Sequence, residues 1–205
     1  MFDKRLSIGR LIWLLTLCSS MYLSSYAADT KHDTAVAASN CPLFKMASNE
    51  NIKLLKQREM EGFKLLGQAK LSILFWDIYE SKLFTSDGKL PLSGHCQHSM
   101  FEIQYLRDIS KQELLDNTLA QWQHLAIDEE QYMPYLLALE GIWPDIKAGD
   151  QLTLLTNAAT TVFYFNQQKV GEIESEQFAD LFLRIWLDEN TSEPKLRQQL
   201  LGELI

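Results

Sequence analysis

A twenty-residue stretch, 65–84, constrains the fold more than any other part of this sequence. It reads LLGQAKLSILFWDIYESKLF and is the longest segment with the character of a β-strand. A strand with one solvated face alternates apolar and polar side chains, whereas between Leu71 and Tyr79 both alternating faces are largely apolar. We therefore predict that 71–79 forms a central strand covered on both sides, or a strand whose second face borders an internal pocket.

Further strands and helices are predicted from turn residues and periodicity. Met100 to Leu106 alternates apolar and polar residues, as half-buried strands do. Ser110 and Glu113 have the spacing of a capping box, which predicts that a helix begins there. Gly67 is predicted to be a bulge or bend. The other predicted strands are 62–66, 81–85, 151–156, 161–165 and 169–173. Further helices are predicted at 128–140, with Pro134 near the first turn, after Ser175, and after Ser192, with Pro194 in the first turn.

This order of elements indicates the fold class. Strands occur in runs, separated by pairs of helices, and do not alternate singly with helices as they do in a doubly wound α/β sheet. We predict an α+β fold, in which the last three strands form an antiparallel meander.

The first 27 residues resemble a secretory signal peptide. Lys4, Arg5 and Arg10 precede an apolar run at 11–17, and small residues at 25 and 27 predict cleavage after Ala27. Two alternatives are a retained membrane anchor, for which the apolar run is far shorter than the ~20 residues of a membrane span, and a lipoprotein attached through Cys18. The predicted organisation is a signal peptide at 1–27, a flexible lead-in at 28–45 and one domain at 46–205, in a periplasmic or secreted protein.

Cleavage of this leader would leave two cysteines, Cys41 and Cys96. An even pair in an oxidising compartment is a candidate disulfide, and two free thiols are the alternative. Cys96 also lies in the sequence His-Cys-Gln-His at 95–98, whose metal-binding interpretation lacks a nearby fourth ligand. We therefore predict no metal site.

The composition excludes several functional classes. The formal charge of −8 argues against binding to nucleic acid or to an anionic membrane surface, because both require basic patches. The sequence contains no GxSxG, HExxH, CxxC, P-loop or dinucleotide-binding motif, and we predict no cofactor.

Five segments of the chain are similar to those of a known family. They are GQAKLSILFWDIYESKLF (67–84), FEIQYLRDIS (101–110), WPDIKAGDQLTL (143–154), FYFNQQKVGEI (163–173) and FADLFLRIWLDENTSEPKLRQQLLG (178–202). They resemble the bacterial chalcone isomerase-like family of exported proteins, over about residues 60 to 203. The resemblance implies an open-faced sandwich, in which a long antiparallel sheet is backed by a layer of helices.

The same resemblance implies two kinds of function. Plant chalcone isomerases close a flavanone ring in a cleft between the sheet and the helices, and related non-catalytic members bind fatty acids there. Both use an Arg on an early strand and a Tyr near the ligand. Lys70 is the nearest match to that Arg, although Lys lacks the bidentate guanidinium, and Tyr79 matches a Val/Ile-Tyr element of the wider superfamily.

Other side chains are candidates for ligand contact from their own chemistry. Arg107 could anchor a carboxylate and Tyr105 could donate a hydroxyl hydrogen bond. Alternatively, Arg107 could be a structural partner of Asp108 or Asp145, and Tyr105 a core aromatic residue. Asp77, an acid in an apolar strand, needs a partner or a place at an edge. Three aromatic residues could line a pocket or belong to the core: Trp76, Tyr164 and Phe182.

Three functional hypotheses follow from the sequence. The first is an exported, non-catalytic protein that binds a small hydrophobic or amphipathic, fatty-acid-like ligand between sheet and helices. The second is an isomerase that uses Lys70, Tyr105 and Arg107. The third is a protein-interaction domain with a filled core. A cavity beside Tyr79 and Tyr105 would favour the first two hypotheses over the third.

Overall fold

The computed structural model describes residues 63–91, 97–157 and 159–204. The predicted signal peptide, the lead-in and both candidate disulfide cysteines lie outside these ranges. Within them the elements follow in the order β1 (Lys64–Ile73), β2 (Trp76–Thr85), β3 (Ser99–Tyr105), α1 (Lys111–His124), α2 (Glu129–Ile142), β4 (Gln151–Thr156), β5 (Thr160–Phe165), β6 (Gln168–Glu174), α3 (Phe178–Leu187) and α4 (Pro194–Leu200).

The six strands form one antiparallel sheet in the order of the sequence, β1 to β6. Buried residues of all four described helices join one face of the sheet in the main hydrophobic core. A smaller buried cluster, which includes Met100 and Tyr164, lies on the other face. The predicted α+β fold, an antiparallel sheet backed by helices, is confirmed.

The predicted central strand at 71–79 is wrong. Residues 64–73 and 76–85 are two antiparallel strands, with Ile73 paired to Trp76 across a two-residue turn at Leu74 and Phe75. The prediction failed because this turn contains no Gly, Pro, Asn or Asp, the residues that usually mark a hairpin. The apolar residues on both faces reflect an exposed hairpin tip and not double coverage. Gly67 does lie at a register shift, as predicted.

β3, like β4 and β5, is buried on both faces. Phe101, Ile103 and Tyr105 face the main core, as the alternation predicted. Glu102, which was expected on a solvated face, is also buried. β3 is therefore not half-buried, because the helical layer covers one face and Met100 belongs to the second buried cluster on the other.

Helix starts agree with the sequence in part. The Ser110–Glu113 capping box is present, and Ser175 Oγ accepts hydrogen bonds from the first backbone N–H groups near α3. Ser192 does not cap α4, because its hydroxyl donates to the Gln121 side chain instead. Pro134 lies inside α2, at its sixth residue and not in its first turn.

The last helix, α4, covers β1 at the edge of the sheet. At Gly67 the backbone of α4 comes so close that a Cβ atom would overlap the carbonyl oxygens of Gln199 and Leu200. Gly202, just past the helix, has a φ of 70°, which favours glycine. The close approach fixes how β1, and with it the β1–β2 hairpin, is held against the helical layer.

Candidate functional site

A cavity of about 190 Å³ lies between the sheet and the helices. Its walls come from β1, β2, β3 and β4 on one side and from α1, α3 and the segment after α2 on the other. Most of the wall is aliphatic or aromatic. The apolar side chains that form it include Ile78, Ile103, Leu114, Leu152, Phe182 and Ile185. Such a lining suits an apolar group.

Tyr79 and Trp186 are bonded to each other at the wall of this cavity. Trp186 Nε1 donates a hydrogen bond to the Tyr79 hydroxyl, with 2.9 Å between the two atoms. Burial of the Tyr79 hydroxyl raises its pKa to about 12; the bond from Trp186 opposes this rise and the negative charge of Glu193 adds to it. The hydroxyl is therefore protonated at neutral pH and retains its own proton for donation.

Tyr105 lies beside Tyr79, with the ring centroids 6.0 Å apart and the rings close to perpendicular. Tyr105 is only 5% exposed. Burial, and to a lesser degree Tyr79, raises the pKa of its hydroxyl. No residue that the structure describes forms a hydrogen bond with this hydroxyl. It is thus a neutral donor that remains available at the cavity wall.

Trp143 contributes a second buried donor. It follows α2 directly, lines the cavity and is 3% exposed, with its ring against Phe163 and Phe182. Its Nε1 is buried and has no hydrogen-bond partner within the described parts of the chain. A buried donor without a partner is unfavourable by about 1–3 kcal/mol, so an acceptor supplied by a ligand would stabilise this site.

The cavity meets solvent through exposed members of its lining, which are Ile73, Asn117, Ser192 and Glu193. Ser192 Oγ donates a 2.8 Å hydrogen bond to Gln121 Oε1 and so ties the segment before α4 to α1. Among the described lining residues Glu193 is the single charged side chain, and none is Lys, Arg or His. The site therefore offers neutral donors and no cation to a bound molecule.

Comparison with known proteins identifies the family. The sequence model described as chalcone isomerase-like matches residues 45–202. The chain belongs to the chalcone isomerase-like family. No curated protein matches the chain at a significant level of sequence similarity.

A solved structure with the same fold is the crystal structure of a fatty-acid binding protein of Arabidopsis thaliana. It superposes with a TM-score of 0.54 at 12% identity and covers 70% of this chain and 88% of its own. At this identity the likeness shows the chalcone isomerase-like fold alone.

Two of the four residues predicted to contact a ligand, Tyr79 and Tyr105, line the cavity of this chalcone isomerase-like protein. The other two, Lys70 and Arg107, do not. Lys70 lies on the outside of the hairpin, where its ammonium group pairs with Asp77 at 3.2 Å and Glu80 at 3.1 Å. These two carboxylates account for the raised pKa of Lys70, that of Glu80 first.

Arg107 is an exposed residue after β3, near Glu113. The carboxylates considered as its structural partners are engaged elsewhere. Asp108 pairs with Lys147 at 3.0 Å, and Asp145 accepts a hydrogen bond from the backbone of Lys111. Ligand contact by Lys70 or Arg107 therefore remains a prediction.

The other candidates from the sequence fall in different places. Asp77 has the partner that its chemistry requires, because Lys70 and Ser72 both bond to it at the edge. Phe182 lines the cavity. Trp76 is exposed on the hairpin, and Tyr164 is buried on the opposite face of the sheet.

Sequence reasoning missed Trp143, Trp186 and the Gln121–Ser192 pair as parts of the site. Trp186 belongs to the apolar stripe of α3, four residues after Phe182. The bond to Tyr79 joins positions 107 residues apart, and no local pattern signals it. Among the described residues, no group of three or more His, Cys, Asp or Glu side chains is placed to hold a metal ion.

Proposed function

We propose that this chalcone isomerase-like protein binds a small hydrophobic or amphipathic molecule in the cavity without transforming it. The observation that carries the proposal is the pairing of an apolar cavity with two buried donors, Tyr105 and Trp143, that lack partners among the described residues. The fatty-acid binding protein of Arabidopsis thaliana, which has the same fold, supports an acyl ligand.

The size of the cavity limits the part of the ligand that is enclosed. Sites that enclose drug-sized ligands measure roughly 300–1,000 Å³, and an apolar cavity of about 150 Å³ holds benzene. At about 190 Å³ this cavity encloses one ring or a short run of methylene groups. A longer acyl chain would extend past the exposed rim at Ile73 and Glu193.

The polar groups of the cavity favour a particular kind of head group. Tyr105 and Trp143 offer O–H and N–H donors, which suit a carbonyl, ester, hydroxyl or protonated carboxyl oxygen. An ionised carboxylate would be buried without a cation and near the negative charge of Glu193, which is unfavourable. We therefore expect an uncharged acceptor to bind more tightly than a carboxylate of equal chain length.

The tyrosines are poorly suited to proton transfer at neutral pH. Efficient general acids and bases have pKa values near the working pH, whereas burial moves the pKa values of both Tyr79 and Tyr105 upward from 10. This favours binding over an isomerase reaction. Conversion of a chalcone by the purified protein, abolished in Tyr105→Phe, would instead support the isomerase hypothesis.

Export is part of the proposal and rests on the leader at 1–27, with its basic start, apolar run and small residues before position 28. The test is the intact mass of the protein recovered from separated cell fractions. A periplasmic or secreted species that begins at Ala28 supports export. A full-length protein in the cytoplasm contradicts it. The same mass measurement under non-reducing conditions shows whether Cys41 and Cys96 are bonded.

The binding test is native mass spectrometry of the protein as purified, followed by denaturing extraction. A stoichiometric acyl or aromatic compound supports the proposal. If the neutral donors hold the head group, the variants Arg107→Ala and Lys70→Ala should still carry the bound compound. If Arg107 or Lys70 holds it, the corresponding variant should be recovered without the compound. A protein that carries nothing and gains no mass with fatty acids, fatty alcohols or chalcones contradicts the proposal and favours an interaction domain.

A further inference from the structure

The tip of the β1–β2 hairpin, residues 73–76, exposes four consecutive large apolar side chains. Ile73 is 53% exposed, Leu74 88%, Phe75 97% and Trp76 68%. Single exposed apolar residues are common on protein surfaces, but a contiguous group of this kind marks a site of interaction. The hairpin tip is therefore a candidate contact surface.

The backbone at this tip is strained in a way that a different residue would relieve. Leu74 has a φ of 56°, in the left-handed region where glycine and asparagine are favoured in two-residue hairpin turns. A leucine here has an energetic cost and, at 88% exposure, packs very little against the protein. A contact with another molecule therefore explains the Leu74 side chain better than a contribution to the stability of this chain does.

The tip continues directly into the cavity wall. Ile73 belongs to the tip and also lines the cavity, and Leu71, two residues earlier on the same strand face, lines it as well. Just behind the tip, Lys70, Asp77 and Ser72 form a hydrogen-bonded polar cluster. The hairpin therefore has an apolar tip, a cluster of polar side chains just behind it and one face that borders the cavity.

We propose that the hairpin tip inserts into the interfacial region of an uncharged lipid bilayer, next to the rim of the cavity. Four residues at a narrow hairpin tip provide less area than the roughly 800 Å² per partner of a standard protein interface. A bilayer needs no complementary pocket, and Trp is a side chain that favours the membrane–water interface. That the cavity exchanges its ligand with the bilayer rests on the proposed function, whereas insertion itself does not.

The charges near the tip specify the kind of bilayer. The protein has a formal charge of −8, and the Lys70 ammonium is already paired with Asp77 and Glu80. An anionic surface would therefore repel the protein and gain no free cation from Lys70, the lysine nearest to the tip. Binding to phosphatidylcholine vesicles should be little affected by salt and should weaken when anionic lipid is added.

The experiment is sedimentation of the protein with phosphatidylcholine vesicles, combined with quenching of tryptophan fluorescence by brominated lipid. We expect wild type to bind and its quenching to decrease in Trp76→Phe. Leu74→Ser/Phe75→Ser should bind at least about tenfold more weakly, because two large apolar side chains no longer leave water. Leu137→Ser, which changes an exposed leucine on α2, is the matched control and should bind like wild type.

The variant Leu74→Gly tests whether a loss of vesicle binding is caused by misfolding. Because glycine accepts the positive φ, this variant should unfold at the same or a higher urea concentration than wild type while binding vesicles more weakly. Absence of wild-type binding, equal binding by the serine double variant, or binding that requires anionic lipid would each overturn the proposal. Self-association of wild type lost in the double variant would assign the tip to a second copy of the chain instead.

The vesicle result and the ligand result are independent. Tip variants that lose vesicle binding but keep a ligand added in detergent-free buffer would support insertion together with the proposed function. Vesicle binding by a protein that takes up no ligand would support insertion and contradict ligand binding.

Discussion

The indole Nε1 of Trp186 donates a hydrogen bond of 2.9 Å to the hydroxyl of Tyr79, and this bond joins α3 to β2 at the wall of the cavity. It fixes one of the two neighbouring tyrosines and leaves the other, Tyr105, without a partner among the described residues. The two hydroxyls therefore have different roles, one in stability and one available to a ligand.

Tyr79→Phe removes the acceptor of this bond. The Trp186 N–H would be left without its partner at the cavity wall, and we expect the free energy of unfolding to fall by about 1–3 kcal/mol. Urea denaturation followed by circular dichroism measures the change. A stability equal to that of wild type would show that the bond contributes nothing to the fold.

Tyr105→Phe is the matched change at the neighbouring ring. Its hydroxyl forms no hydrogen bond with the described residues, so the free energy of unfolding should stay within about 0.5 kcal/mol of wild type. Ligand affinity should fall by about fivefold or more, because one hydrogen bond to the ligand contributes about 1 kcal/mol. Unchanged affinity measured by isothermal titration calorimetry would remove Tyr105 from the site.

Alkaline pH should destabilise the protein through Tyr79. Its pKa is about 12 in the folded protein and 10.0 in the reference state, so folding favours the protonated hydroxyl. This stabilisation is complete below pH 10 and is lost as the pH rises to 12, with a total of at most about 3 kcal/mol. Urea midpoints measured at intervals from pH 8 to pH 12 should fall in wild type and fall less in Tyr79→Phe.

Two glycines provide a matched test of how α4 meets the sheet. Gly67→Ala should be destabilising by about 2 kcal/mol or more, because the new Cβ would overlap the carbonyls of Gln199 and Leu200. Gly141→Ala, in the exposed end of α2, meets nothing within 4 Å and should be stabilising by up to about 1 kcal/mol. Thermal unfolding should give a lower melting temperature for Gly67→Ala and an equal or higher one for Gly141→Ala. Equal changes in the two variants would contradict the packing of α4 on β1.

Much of the fold could be predicted from the sequence because its signals are local. The Ser110–Glu113 capping box, the grouping of strands into runs and the strand that follows Gly149-Asp150 all depend on neighbouring residues. The hairpin at Leu74 and Phe75 could not be predicted, since its turn uses residues that elsewhere indicate buried strand. Apolar residues on both faces fit a covered strand and an exposed tip equally well.

The candidate site was predicted only in part, because some of its residues have local signals and others join it through long-range packing. Tyr79 and Tyr105 were identified from their strands and from the family resemblance, and both line the cavity. Trp143 and Trp186 join the site through the packing of helices on the sheet. That arrangement depends on contacts between residues far apart in the sequence, which no periodicity reveals.

We propose that the cavity holds an uncharged polar head group attached to an apolar chain. The most direct measurement is isothermal titration calorimetry of the delipidated protein with a fatty alcohol, its methyl ester and the corresponding fatty acid at neutral pH. Leu114→Trp, which fills the cavity, is compared with Leu119→Trp, the same change on the same helix outside the lining. We expect the alcohol or ester to bind more tightly than the carboxylate, and this binding should be lost in Leu114→Trp and kept in Leu119→Trp. Binding that is unaffected by Leu114→Trp, or that is strongest for the carboxylate, would contradict the proposal.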